Sequence, residues 1–137
     1  MSNDIVVGID GSPHSDQALA WALDEAEVRG TRVRAVLAWS YMGEGESVLG
    51  VGTTEADAAA ALAEIVERAA GERAGLVDQV TVNDLAAHGL IEQAKDAAMV
   101  VVGTRGRSGL KRLLLGSVSQ AVLEKAHVPV VVIPHQD

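Results

Sequence analysis

Five short apolar runs recur along this chain, at residues 5–9, 33–39, 77–82, 99–102 and 128–133, and stretches with helical spacing of apolar residues separate them. This alternation constrains the fold more than any other feature. Runs of four to seven residues have strand length. Strands that alternate with helices imply right-handed crossovers and a parallel sheet covered by helices on both faces. In such an α/β fold, ligands bind beyond the carboxyl ends of the strands, where strand order reverses. If the first and fourth strands are neighbours at that reversal, Asp10 and Gly103 open onto one crevice.

Local chemistry sets the expected boundaries. Asp10, Gly11, Ser12 and Pro13 close the first strand, with Ser12 suited to an N-cap and Pro13 to the first helical position. The helix that follows carries Leu19, Ala22, Leu23 and Ala26 on one stripe, and Gly30 stops it. Residues 42–53, rich in glycine, read as a mobile connection. Thr54 caps the next helix, whose stripe is Ala58, Leu62, Ile65, Val66 and Ala69. Gly71 and Gly75 punctuate the descent into the third strand. A third helix is expected over 85–97, although Gly89 lies inside it. The last helix is expected over 118–125, entered through Ser117 and Gln120 at capping-box spacing. Pro129 lacks an N–H, which argues for a final strand at the sheet edge. At 137 residues the chain has the size of one domain, 1–137.

Composition narrows the function classes. The aromatic side chains are Trp21, Trp39 and Tyr41, with no phenylalanine, so the core must be built from Val, Leu, Ile and Ala. No stretch approaches the roughly 18 consecutive apolar residues of a membrane span, and the first residues do not form a secretory signal. The chain has no cysteine, which excludes disulfide and thiolate chemistry and fits the cytoplasm. A net charge of −8 argues against a nucleic-acid partner. The charge is unevenly spread. From Glu44 to Asp78 eight acidic residues face two basic ones, whereas from Gly103 to Lys125 five basic residues face Glu124 alone.

That positive stretch joins the fourth strand to the last helix. It offers backbone N–H groups, hydroxyls and a helix N-terminus to an anion, most simply a phosphate. Gly103 and Gly106 can bring the backbone close to phosphates, and Gly116 can let the chain turn before the helix presents its free N–H groups. Alternatively, these glycines and Gly109 only shape a turn. Arg105 and Arg107 lie nearest the strand end and are the better phosphate ligands. Lys111 and Arg112 can instead snorkel around Leu110 and the leucines at 113–115. The Ser117 hydroxyl can cap the helix, contact a phosphate, or do both. Asp10 can bind ribose hydroxyls, a metal ion on the phosphates, or the N–H groups of its own turn. His14, His88, His127 and His135 show no pair at metal-ligand spacing. Neither a Walker A string, nor the dinucleotide fingerprint, nor a nucleophile elbow occurs.

Gly103-x-x-Gly106, nine residues and then Gly116-Ser117 resembles the pattern G-x2-G-x9-G-S/T of the ATP-binding branch of the universal stress protein family. The opening residues 5–13 and the closing run 117–133 are similar to that family as well. The resemblance covers the chain apart from residues 42–75. It implies an open five-stranded parallel sheet in the order 3-2-1-4-5 between two helical layers, the adenine-nucleotide alpha-hydrolase-like architecture. It further implies that Gly8 and Ala38 lie beside adenine and that Asp10 lies near ribose and metal. By the same resemblance Gly103, Thr104, Arg105, Gly106, Arg107, Ser108 and Gly109 hold ribose and phosphates, and Gly116, Ser117 and Val118 hold the phosphate tail. The strand Val130–Ile133 would pair antiparallel with its copy in a homodimer. Two departures, Asp84 to Ala87 in place of Gly-x-Pro-Ala and Gly89 in place of an apolar residue, are expected to loosen the third helix.

The function expected from these features is an ATP-binding, dimeric sensor or regulatory module in stress response, with Mg²⁺ or Mn²⁺ on the phosphates and an unidentified protein partner. At most it would be a slow metal-dependent ATPase, because no general base is evident. The alternative is a non-enzymatic interaction protein whose dimer works without ATP.

Overall fold

The computed structural model describes residues 3–39, 54–104 and 115–134. Five strands, β1 (Ile5–Gly8), β2 (Val33–Trp39), β3 (Val77–Asn83), β4 (Met99–Gly103) and β5 (Val130–Ile133), form one sheet in the order β3-β2-β1-β4-β5. Every pairing is parallel, with Ile5 opposite both Val33 and Met99 and with Val102 opposite Val132. Strand order therefore reverses between β1 and β4, and the crevice expected at their carboxyl ends has its geometric basis.

Among the described residues four α-helices cover the sheet: α1 (Pro13–Arg29), α2 (Glu55–Ala70), α3 (Ala86–Gln93) and α4 (Ser117–Lys125). Alternation along the strands divides the core. Ile5, Val7, Val33, Ala35, Leu37, Met99 and Val101 pack with the α1 and α2 stripes, including Leu19, Leu23, Leu62 and Val66. Val6, Val36, Val100 and Val102 face Leu90 of α3 and Val122 of α4. Both faces of the central strands are thus apolar, which accounts for unbroken valine runs rather than alternating ones.

The helix ends show which local signals operate. Ser12 caps α1 by accepting the Ser15 N–H at 3.2 Å, Pro13 follows, and Gly30 ends the helix in the left-handed region at φ 67°. Thr54 likewise accepts the Asp57 N–H at 3.1 Å to start α2. Two expectations need correction. Ser117 does not cap α4: Gly116 occupies the cap with extended backbone and no side-chain cap bond, and Ser117 is the first helical residue. The third helix ends at Gln93 instead of running to 97. There the Arg34 guanidinium from β2 donates to the Gln93 carbonyl at 2.7 Å, satisfying a helix-end acceptor from a distant part of the chain.

Gly89, expected to loosen α3, is buried where the helix meets β3. A Cβ there would lie 2.7 Å from Val82 Cγ2. The final strand begins at Val130, two residues later than expected. The Pro129 carbonyl still accepts the Val100 N–H at 2.9 Å, just ahead of the strand. The connection expected to be mobile at 42–53 lies outside the described residues.

Candidate functional site

The turn after β1 is built by Asp10. Its Oδ1 accepts the Ser12 N–H at 2.9 Å, and Gly11 between them has φ 81°, a conformation that a side chain resists. The Asp10 N–H in turn donates to Ser15 Oγ at 3.3 Å, and the Ser15 hydroxyl donates to the Ser12 carbonyl at 3.1 Å. Asp10 is therefore held to its own turn through one carboxylate oxygen.

Gly8, Ile9, Asp10, Ser15, Val36, Ala38, Ala86, Leu90, Val102, Gly103, Val118 and Ser119 surround a crevice beyond the strand ends, with about 520 Å³ of open space including its mouth. The sheet order ranks the lining: Val36 and Ala38 on β2, then Gly8 and Asp10 on and after β1, then Val102 and Gly103 on β4. Leu90 of α3 roofs the β1 and β2 side, and the first turn of α4 stands at the β4 side. One end is apolar, the middle carries a carboxylate, and the far end carries a helix N-terminus.

Of the site residues expected from the sequence, Gly8, Asp10, Ala38, Gly103 and Val118 line this crevice. Thr104, Gly116 and Ser117 are not among its lining residues; Ser117 is exposed, whereas Gly116 is buried. Arg105, Gly106, Arg107, Ser108 and Gly109 lie outside the described residues. Val36, Ala86, Leu90, Val102, Ser15 and Ser119 were not singled out from the sequence. No periodicity marks them, because their place depends on which helix covers which face.

Two glycines expected to serve a ligand also serve the packing. A Cβ on Gly103 would lie 2.9 Å from His14 Cβ and 3.0 Å from the His14 carbonyl oxygen, so the end of β4 and the start of α1 touch through backbone. A Cβ on Gly8 would lie 2.7 Å from Leu90 Cδ1. In its present rotamer Leu90 packs onto β1 in the space that a side chain at position 8 would take.

Beside the crevice, His88 Nδ1 lies 2.6 Å from Asp84 Oδ2, and Asp84 Oδ1 accepts the Leu85 N–H at 2.7 Å. The hydrogen bond to Asp84, and then its charge, raise the His88 pKa; the same bond lowers that of Asp84. A raised histidine pKa means that its share of stability is present below the ordinary value of about 6.5 and fades as pH rises through the folded value. The lowered Asp84 pKa acts in the opposite sense: its share fades as pH falls through the folded value. Proton NMR titration should place the His88 midpoint above about 6.5, and Asp84→Asn should bring it down. A midpoint unaffected by that substitution would contradict the pairing.

Among the described residues, no group of three or more His, Asp or Glu side chains is arranged to hold a metal. None of the described helices is long and apolar enough to cross a membrane.

The sequence matches the profile of the universal stress protein family over residues 1–134. Universal stress proteins of Mycobacterium bovis and Mycobacterium tuberculosis are each 44% identical to it over 132 residues, covering 93% of this chain and 44% of the relative. The chain thus spans less than half the length of these relatives. Among solved structures, a universal stress protein in complex with cAMP superposes with a TM-score of 0.74 at 26% identity, covering 98% of both chains. A universal stress protein from Archaeoglobus fulgidus gives 0.73 at 26% identity, covering 95% of this chain and 97% of the other.

Proposed function

Because this chain belongs to the universal stress protein family, we propose that it is an adenine-nucleotide-binding regulatory module, with ATP as the ligand. The observation that carries the reading is the order of chemistry along one crevice. Val36, Ala38 and Leu90 offer apolar walls to a planar base. Asp10 comes next; a carboxylate only accepts hydrogen bonds, and ribose hydroxyls donate them. Gly103 and the first turn of α4 follow, where free N–H groups suit phosphate oxygens. The solved relative at 26% identity that binds cAMP supports the same ligand class.

Gly8, Asp10 and Ala38 would hold the nucleoside. Gly103, Thr104, Gly116, Ser117 and Val118 would hold the phosphates, together with Arg105, Gly106, Arg107, Ser108 and Gly109. A Mg²⁺ or Mn²⁺ ion would arrive on the phosphates and meet Asp10, whose second oxygen suits it. The protein supplies no cage of its own for such an ion among the described residues. Asp10 is also the only acidic or histidine side chain among the described lining residues, which fits ligand sensing better than rapid turnover.

The module would act as a homodimer through Val130–Ile133. The two sheet edges differ: β3 carries Asp78, Gln79 and Asn83, whereas β5 is Val-Val-Val-Ile, half-buried and, among the described residues, paired only with β4. An uncharged apolar edge calls for a partner, and a second copy would supply one. Nucleotide occupancy would then be read by another protein at the dimer surface. Sedimentation that finds only monomer at micromolar concentration would rule out the dimer. The ligand is tested by mass spectrometry of small molecules released from freshly purified, denatured chain. Recovery of an adenine nucleotide is expected; consistent recovery of a different ligand would overturn the reading.

A further inference from the structure

We propose that Ser119, which no motif marks, is the positioning residue that fixes the phosphate end of the crevice. The inference rests on the nucleotide reading above and adds a residue to it. Ser119 is 3% exposed and lines the crevice. Its hydroxyl lies 3.0 Å from the Thr104 carbonyl and 3.1 Å from the Gly116 carbonyl. It has one proton, so it donates to one of them at a time. The Thr104 carbonyl also accepts the Gly116 N–H at 2.6 Å.

Thr104 is where the chain leaves the sheet, and Gly116 is where it re-enters at the head of α4. The two are therefore tied directly, and the first turn of α4 is tied to Thr104 a second time whenever the Ser119 hydroxyl donates to the Thr104 carbonyl. Thr104 is itself anchored, since its N–H donates to the Ile133 carbonyl at 3.1 Å. Through these bonds the first turn of α4 is held at a fixed height above β4 and β5. That height decides whether its unpaired N–H groups face the crevice, and a preorganised donor set binds an anion without first paying the cost of ordering.

The base end is built differently. Val36, Ala38 and Leu90 are apolar side chains on the β1 and β2 side of the crevice and make no hydrogen bond to this staple. Loss of the Ser119 hydroxyl should therefore act on phosphates and spare the nucleoside. It is distinct from Ser117, whose side chain caps nothing and is exposed.

The test is calorimetric titration of wild type, Ser119→Ala and Ser119→Thr with MgATP and, separately, with adenosine. Removing one hydrogen bond should weaken MgATP by about 3- to 10-fold while adenosine affinity stays within about twofold, and Ser119→Thr should retain MgATP binding close to wild type. Wild type that binds MgATP with Ser119→Ala unchanged overturns the positioning role alone. Equal weakening of both ligands also overturns it, because that pattern belongs to general packing or to a base contact. Wild type that binds neither ligand overturns the nucleotide reading, and the assignment with it.

Discussion

Gly103→Val should destabilise the fold by about 3 kcal/mol, with Gly103→Ala nearer 1–2 kcal/mol. A Cβ at this position would sit 2.9 Å from His14 Cβ, 3.0 Å from the His14 oxygen and 3.1 Å from its carbonyl carbon. Two of those three atoms are backbone and cannot rotate away. Nor can the elements withdraw freely. β4 is hydrogen-bonded on both sides, to β1 and β5, and the start of α1 is fixed by Ser12 and by the Asp10 turn. Urea denaturation of the three proteins measures the effect, and any loss of nucleotide affinity should appear with it. Variants as stable as wild type that merely bind nucleotide poorly would mean that Gly103 serves the ligand only.

Gly8→Val should do the reverse, impairing binding more than stability. The obstructing atom is the end of the Leu90 side chain, 2.7 Å from the new Cβ, and a leucine terminus can turn. Leu90 is 4% exposed and lines the crevice, so the space into which it turns is the base pocket. Valine also suits a strand better than glycine does, which offsets part of the crowding. Overpacking costs about 1–3 kcal/mol; carried into binding, that is a loss of about 5- to 150-fold in MgATP affinity. Truncating the obstructing side chain supplies the control. In the double variant Gly8→Val/Leu90→Ala, affinity should recover toward wild type, a coupling expected only of residues in contact. Affinity that stays low in the double variant would show that Gly8 acts on the ligand without Leu90.

These two glycines illustrate what could be read from the sequence and what could not. Where a signal is local, sequence and structure agree. Ser12 and Pro13 at the start of α1, Gly30 at its end and Thr54 at the start of α2 all act through neighbours a few residues away. β2 spans Val33–Trp39 as its apolar run indicates, and the parallel order β3-β2-β1-β4-β5 follows from the alternation together with the family resemblance. Where the deciding contact is distant, the structure departs from the local signal. The end of α3 is met by Arg34 from β2, whereas the apolar stripe continues through the buried Ala94 and Ala97 and hides the stop. The Ser117–Gln120 spacing imitates a capping box, yet the working hydroxyl is that of Ser119, drawn to a carbonyl at Thr104.

The candidate site divides along the same line. Asp10 and Gly103 were legible as strand-end residues facing a reversal of order, because alternation alone implies where strands end. Leu90, Val36 and Val102 were not, since each reads as an ordinary core residue until α3 is seen to lie over β1 and β2. The glycines were legible as glycines but not in their cause: Gly8, Gly89 and Gly103 each admit a neighbouring element at a distance that no Cβ tolerates.

The most direct test of the nucleotide-binding account is isothermal titration of the stripped wild-type chain with MgATP. The account predicts saturable binding at one site per chain, weakened in Gly8→Val at unchanged fold. Absence of any binding heat up to millimolar MgATP, from protein shown to be folded, would contradict it.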